Sequence, residues 1–334
     1  MGALSLLVGL LPVVLFLGAL LLLDSYKLIT RRDIFRSILA GATAALLAYF
    51  ANAAAFGTLH LDPAIVKRYI APVVEETAKA VLVVYIVRAE KVGFMVDAGI
   101  HGFAIGTGFA LVENVYYAWT LGTSSLGLWI VRGLGTAILH GSTTAVLGIL
   151  SKDLTDRHDS RALRWFVPGW LIAVIVHSLY NHVLVNPLLA ATLLLVAVPL
   201  LVFVVFERSE RATRDWLGIG LDSDMERLEL ILSGDVPDTP LGEYLESLKH
   251  RFTGPVVADM LCLMRIQLEL SMRAKGILIA RAAGVSVEID EHVRANLEEL
   301  KFLERSIGPT GQLALMPFLR TSSRDLWQIY MLKR

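Results

Sequence analysis

Three glutamates and two histidines lie inside hydrophobic stretches of the chain, where ionisable groups are costly. The stretch 69–88 contains Glu75, Glu76 and Lys79, and 94–118 contains Phe109 and, four residues on, Glu113-Asn114. The stretch 128–150 contains His140, and 165–186 contains His177 with Asn181 four residues later. A charge at the centre of a membrane span costs at least about 2.5–3.5 kcal/mol, so such groups are read as functional by default. Packing does not explain two adjacent carboxylates. Lys79 follows them on the same helix face, so it neutralises one and leaves the other free to titrate. A free buried carboxylate can take a proton from water. Two histidines and one carboxylate, with an open fourth position, are a known catalytic zinc set.

Each group alone has a structural explanation. A structural ion pair needs only one glutamate, Glu113 alone reads as a carboxylate snorkelling to the interface, and a lone histidine reads as hydrogen-bonded structure. Found in four consecutive spans, they read together as a site. Other polar residues are weaker candidates. Asp97 and His101 sit nearer the opposite membrane face, His182 is interfacial, Asn52 and Arg132 serve packing or snorkelling, and Thr144 lies one turn from His140. Gly102 and Gly106 have the small-xxx-small spacing of close helix packing.

The elements that must position these groups follow from composition. The 334 residues are 55% hydrophobic and 19% charged, with a mean hydropathy of +0.61. That is too apolar for a chain soluble along its whole length. Lys+Arg and Asp+Glu balance at 31 each, which leaves no electrostatic case for nucleic acid, and one cysteine rules out a disulfide scaffold. The balance hides a split: residues 1–206 hold 14 basic and 11 acidic residues, residues 207–334 hold 17 and 20. A membrane part and a soluble tail follow.

Seven stretches are long and apolar enough to span, near 2–23, 37–59, 69–88, 94–118, 128–150, 165–186 and 188–206. The first lacks a positive n-region and is too long for a signal-peptide core, so it reads as a retained span. Basic clusters in 24–36, at Arg88 and Lys91, in 151–164 and at Arg208, Arg211 and Arg214 all fall on one side of seven spans. The other side receives only Lys67 and Arg68. This asymmetry places the N-terminus outside and the tail in the cytoplasm of a multi-pass cell-membrane protein, and a reducible Cys262 agrees. At about 1.5 Å per residue, Glu75 and Glu113 then lie about 8–9 Å from the outer ends of their spans, His177 about 14 Å and His140 about 18 Å. All four can meet in the outer half of the bilayer.

The tail reads as helical. Asp222 or Ser223 caps a run ending at Gly234, Pro240 opens a run to about Phe252, Pro255–Gly284 is a long amphipathic segment with Cys262 in its core, and a further helix covers about Asp290–Ile307.

In this order and spacing, Glu75-Glu76-x-x-Lys79, Phe109-x-x-x-Glu113-Asn114, His140 and His177-x-x-x-Asn181 resemble the PrsW family of intramembrane proteases, related to the CAAX-processing and Abi-like membrane proteases. The resemblance covers residues 69–185 and leaves the tail uncovered. CAAX-type relatives commonly end the second motif in histidine; Glu113 stands there, which favours PrsW. The resemblance implies an intramembrane endopeptidase of metallo- or glutamic type with a divalent metal, zinc, as cofactor. It also implies a membrane-anchored protein substrate, such as an anti-sigma-factor-type regulator. Glu75 is then the general base, supported by Glu76 against Lys79, while Glu113, His140 and His177 hold the metal. Asn181 orients His177 or donates to the oxyanion, and Asn114 stands behind. Without metal, Glu75 and a histidine activate water, and His177 with Asn181 holds the oxyanion. A rival class, a transporter or ion/proton channel, also lines its path with Glu and His, but no inverted repeat or matched pair of broken helices is visible.

The expectation is therefore an all-α protein. A polytopic bundle of about seven spans (1–206) carries the chemistry within the lipid bilayer. A soluble helical domain (207–334) regulates it or docks a cytoplasmic partner.

Overall fold

The computed structural model describes residues 3–59, 62–120, 125–285, 287–319 and 323–332. Every long element among them is a helix: α1 (Ala3–Leu23), α2 (Arg31–Leu59), α3 (Ala71–Arg88), α4 (Met95–Thr120), α5 (Ala137–Arg157), α6 (Val167–Asn181), α7 (Pro187–Ser233), α8 (Pro240–Leu248), α9 (Gly254–Ala282), α10 (Glu291–Leu315) and α11 (Ser323–Leu332). The chain divides into two compact units, residues 1–209 and 210–334.

In the first unit each of the seven apolar stretches coincides with a helix. Five helical segments are long and apolar enough to cross a membrane among the described residues: 31–57, 95–120, 126–157, 163–181 and 187–233. Leu7–Leu23 is a shorter apolar helix. The charged residues of helix α3 are Glu75, Glu76, Lys79 and Arg88. Residues 121–124, between the fourth and fifth apolar stretches, lie outside the described residues.

Helix α4 is the centre of this unit. Every residue from Val96 to Ala110 is buried, as befits a helix with no polar face to offer. Its most extensive partners are α5 and α2. Glycines make both approaches possible, because helices in lipid associate by close packing without a hydrophobic drive between them. A methyl group at Gly106 would stand 2.2 Å from the His140 carbonyl oxygen, and one at Gly102 would stand 2.4 Å from that of Thr144. Gly106→Ala must therefore push α4 from α5 at the turn that carries His140. We expect a loss of about 1–3 kcal/mol, typical of overpacking, together with a drop in activity. Thermal unfolding in detergent alongside a cleavage assay measures both. By contrast, the outer faces of α6 and α7 expose Leu171, Ile175, Leu179, Leu193, Leu200 and Phe203, apolar walls suited to lipid.

Two helices enter through widened, π-type turns, Val66–Ile70 before α3 and Val131–Thr136 before α5. Such turns often occur at functional sites. The first follows from Pro72, which has no N–H for the Arg68 carbonyl, while the Ala71 N–H reaches back to Val66 and leaves Lys67 unserved. Helix α6 supplies both missing donors: Ser178 Oγ donates to the Arg68 carbonyl at 2.6 Å and Asn181 Nδ2 to that of Lys67 at 3.0 Å.

The second unit is helical too, with corrections to its boundaries. No helix begins at Asp222 or Ser223. Helix α7 runs unbroken to Ser233, because nothing between 206 and 222 is a proline, and it stops at Gly234 with φ 83°. Helix α8 ends at Leu248 instead of about Phe252, and α10 continues past Ile307 through a kink at Gly308-Pro309. Asp290 caps α10, and its bond from the Val293 amide holds its carboxyl below the usual aspartate range. Cys262 is only half-buried, so it is not a full core residue. Helix α11 follows α10 as a further helix beyond those expected from the sequence.

Candidate metal and catalytic site

The site forms where α3, α4, α5 and α6 converge, with one contribution from α2. Glu76 and Lys79 are fully buried and form an ion pair at 2.6 Å. Glu76 also binds His177 Nδ1 at 2.7 Å, and Thr143 Oγ1 lies 3.4 Å from its carboxylate. That bond turns the other imidazole nitrogen, Nε2, toward Glu75 at 3.9 Å. Glu75 in turn accepts a hydrogen bond from Asn52 Nδ2 of α2 at 3.2 Å.

His140 is fully buried between charged partners. Lys79 Nζ lies 3.1 Å from its Nδ1, and its Nε2 lies 3.0 Å from Glu113. An ammonium only donates, so Nδ1 is the acceptor and Nε2–H donates to Glu113. The tautomer is set by its neighbours. Glu113 is held on its other side by Arg132 Nη2 at 3.1 Å. Arg132 is fixed by donation of Nε to Asn114 Oδ1 at 2.9 Å and by stacking 3.8 Å over the Tyr117 ring. The two imidazoles meet edge to face with centroids 4.9 Å apart.

The ligand atoms of Glu75, His140 and His177 all lie within 4.8 Å of one another, a geometry that can hold a metal ion. Three carboxylates (Glu75, Glu76, Glu113) face two cations (Lys79, Arg132), so the carboxylates outnumber the cations by one.

The candidate residues fall into place as follows. Glu75, Glu76, Glu113, His140 and His177 share one network. Glu75 is the carboxylate whose oxygen converges with the ligand atoms of His140 and His177, and the Glu113 carboxylate pairs with Arg132 and His140. Asn181 lies beside the network, bound to the Lys67 carbonyl, and the group that orients His177 is Glu76. Thr143, not Thr144, reaches the site; Thr144 bonds back to the His140 carbonyl at 2.8 Å. Asn114 supports Arg132. His101 pairs with Ser37 at 2.8 Å and Asp97 accepts from the Gly93 amide at 2.8 Å, both away from the network. Asn52 and Arg132 belong to it, although their sequence context looked like packing. The signal for Arg132 was a cation near the outer third of a span, with Glu113 at similar depth.

A family model described as PrsW family intramembrane metalloprotease matches residues 31–206. No curated protein and no solved structure matches the chain. The matched segment is more than half of the 334 residues. It contains every side chain of the network, from Asn52 on α2 to His177 on α6. The chain belongs to the PrsW family of intramembrane metalloproteases.

Proposed function

We propose that the chain is an endopeptidase that cuts a membrane-anchored protein of the anti-sigma-factor-type regulator class, using a divalent metal, zinc, held by Glu75, His140 and His177. The convergence of these three side chains from three helices carries the reading. The donor set fits the metal: two imidazoles and a carboxylate are a recognised catalytic zinc set, and the excess of carboxylates favours a cation. The neighbours also fit, because ligating histidines commonly give their second nitrogen to a carboxylate. Glu76 does this for His177 through Nδ1, leaving Nε2 for the metal. Glu113 does it for His140 through Nε2, so that His140 Nδ1 would take the metal in place of its hydrogen bond from Lys79. When bound, the metal supplies Lewis acidity toward the scissile carbonyl and the attacking water.

The remaining steps belong to the chain's own residues. Glu113, partly accessible and not needed as a ligand, takes the proton from water and returns it to the leaving amine. Arg132 keeps that carboxylate in place. Asn52 holds Glu75, and the Glu76–Lys79 pair fixes His177 against rotation. Asn181 is a positioning residue that pins α6 to the start of α3. This division differs from a base at Glu75 with Glu113 as ligand. Membrane proteomics of cells carrying wild type or Glu75→Gln tests the activity. One anchored protein shortened only by the wild type is the expected result. Identical profiles of protein termini would reject the protease reading.

The basic clusters support seven spans, an external N-terminus and a cytoplasmic tail that regulates or recruits. With Cys262 replaced by serine, Thr123→Cys should react with an impermeant maleimide on intact cells and Glu246→Cys should not. Labelling of both from one side would sink the topology.

A further inference from the structure

Helices α3 and α6 supply Glu75, Glu76, Lys79 and His177 to the site, and they are tied together again toward the basic end of the bundle. Trp170 Nε1 of α6 donates to Thr77 Oγ1 of α3 at 3.1 Å. Further on, Arg161, which precedes α6, donates to the carbonyl of Arg88, the last residue of α3, at 3.4 Å. Between these two ties both helices show apolar surface. Val81 and Tyr85 follow Thr77 at four-residue intervals on α3, Val167 and Leu171 stand four apart on α6, and all four side chains are exposed.

The stripes end in cations that no acid answers. Glu90 pairs with Arg161, Asp153 pairs with Arg157 at 2.9 Å, and Asp156 pairs with Lys152 at 2.8 Å. Arg88 and Arg164 are exposed and make no ion pair among the described residues. Arg164 lies 4.7 Å over the ring of Trp165, which itself stacks on His158 with centroids 3.6 Å apart. Lys91 Nζ donates to Tyr85 Oη at 2.9 Å and lies 4.5 Å over that ring. Against these three cations stands Asp159, outside any ion pair among the described residues. Orienting a span requires only that basic residues be present. Here two of the three are held by aromatic rings instead of carboxylates, beside apolar surface, which leaves their charge for a phosphate.

We propose that this end of α3 and α6 binds one anionic phospholipid, with its phosphate among Arg88, Lys91 and Arg164 and an acyl chain along the two stripes. Basic pockets between spanning helices are known to take such headgroups. The lipid bridges the two helices that carry Glu76 and His177, so it braces the site from about 14 Å away, the length of α3 from Lys79 to Arg88. The proposal rests on the chain's place in a bilayer and is independent of the reaction at Glu75.

The test titrates delipidated full chain in a neutral detergent with palmitoyl-oleoyl phosphatidylglycerol or with the zwitterionic phosphatidylcholine. Native mass spectrometry counts the bound lipid. The tightest phosphatidylglycerol should bind in preference to phosphatidylcholine. Arg88→Gln/Arg164→Gln should weaken it about thirtyfold, the value of two basic side chains at an anionic lipid. Arg31→Gln/Arg32→Gln, in a basic cluster on α2, should bind as the wild type does. Glycerol phosphate, which has the charge without the chains, should not displace the lipid at equal concentration. Circular dichroism melts confirm that both variants are folded. The proposal is overturned if the two lipids bind equally, or if folded Arg88→Gln/Arg164→Gln binds phosphatidylglycerol like the wild type. It is also overturned if Arg31→Gln/Arg32→Gln weakens binding as much, which would indicate diffuse surface charge, or if glycerol phosphate displaces the lipid.

Discussion

Glu75→Gln is expected to yield folded protein that retains no stoichiometric metal and cleaves nothing, while Glu113→Gln keeps its metal and loses about 10²–10⁴ in rate. The first effect follows from the ligand set. Glu75 is the carboxylate whose oxygen converges with both imidazoles, and an amide is a poor substitute for an anionic ligand. The second is the range attributed to a positioned general base. Glu113 is held by Arg132 and His140, so its amide keeps the shape of the site while losing the proton acceptor. Elemental analysis of purified variants, together with cleavage of a single-span reporter, reads both quantities. If Glu75→Gln keeps the metal while Glu113→Gln loses it, the roles are the reverse, with Glu75 as base and Glu113 as ligand.

Breaking the ion pair at the heart of α3 should have the largest effect on stability. Glu76 and Lys79 are both fully buried and 2.6 Å apart. Removing one partner of a buried pair leaves an uncompensated charge and typically costs about 3–5 kcal/mol. Lys79→Met is therefore expected to destabilise the protein by that amount. The double variant Glu76→Gln/Lys79→Met should recover most of it, because no isolated charge remains. Activity should stay lost in the double variant, since Glu76 is the group that holds His177 Nδ1. Thermal unfolding of the two variants measures the coupling. Equal destabilisation of single and double variants would show that the pair contributes nothing as a pair.

The apolar runs of the sequence mark the helices, and the five glutamates and histidines of the network stand out inside them, whereas Asn52, Arg132 and Thr143 do not. Seven apolar stretches mark seven helices, because an unbroken run of about 20 apolar residues has one low-energy form in lipid, with every backbone group bonded within the run. Glu75, Glu76, Glu113, His140 and His177 stood out for the same reason, since charge and imidazole in such runs need an explanation. The rise per residue even set their depths close enough for them to meet.

Which of these groups touch is a matter of helix packing. Rotation of each helix about its axis and the offset between helices depend on close contacts such as Gly106 against the His140 backbone, and no periodicity encodes these. They bring Glu75 to the two imidazoles and turn Glu113 to Arg132, a residue whose surroundings in the sequence suggest only packing. They likewise commit Asn181 to a carbonyl that Pro72 and its widened turn leave open, on a different helix and 114 residues away. Even the extent of α7 is not legible, because its 47 residues cross from apolar to polar composition with no proline at the change. Composition records which groups must be explained; the packing of one helix on another selects the partner that explains each.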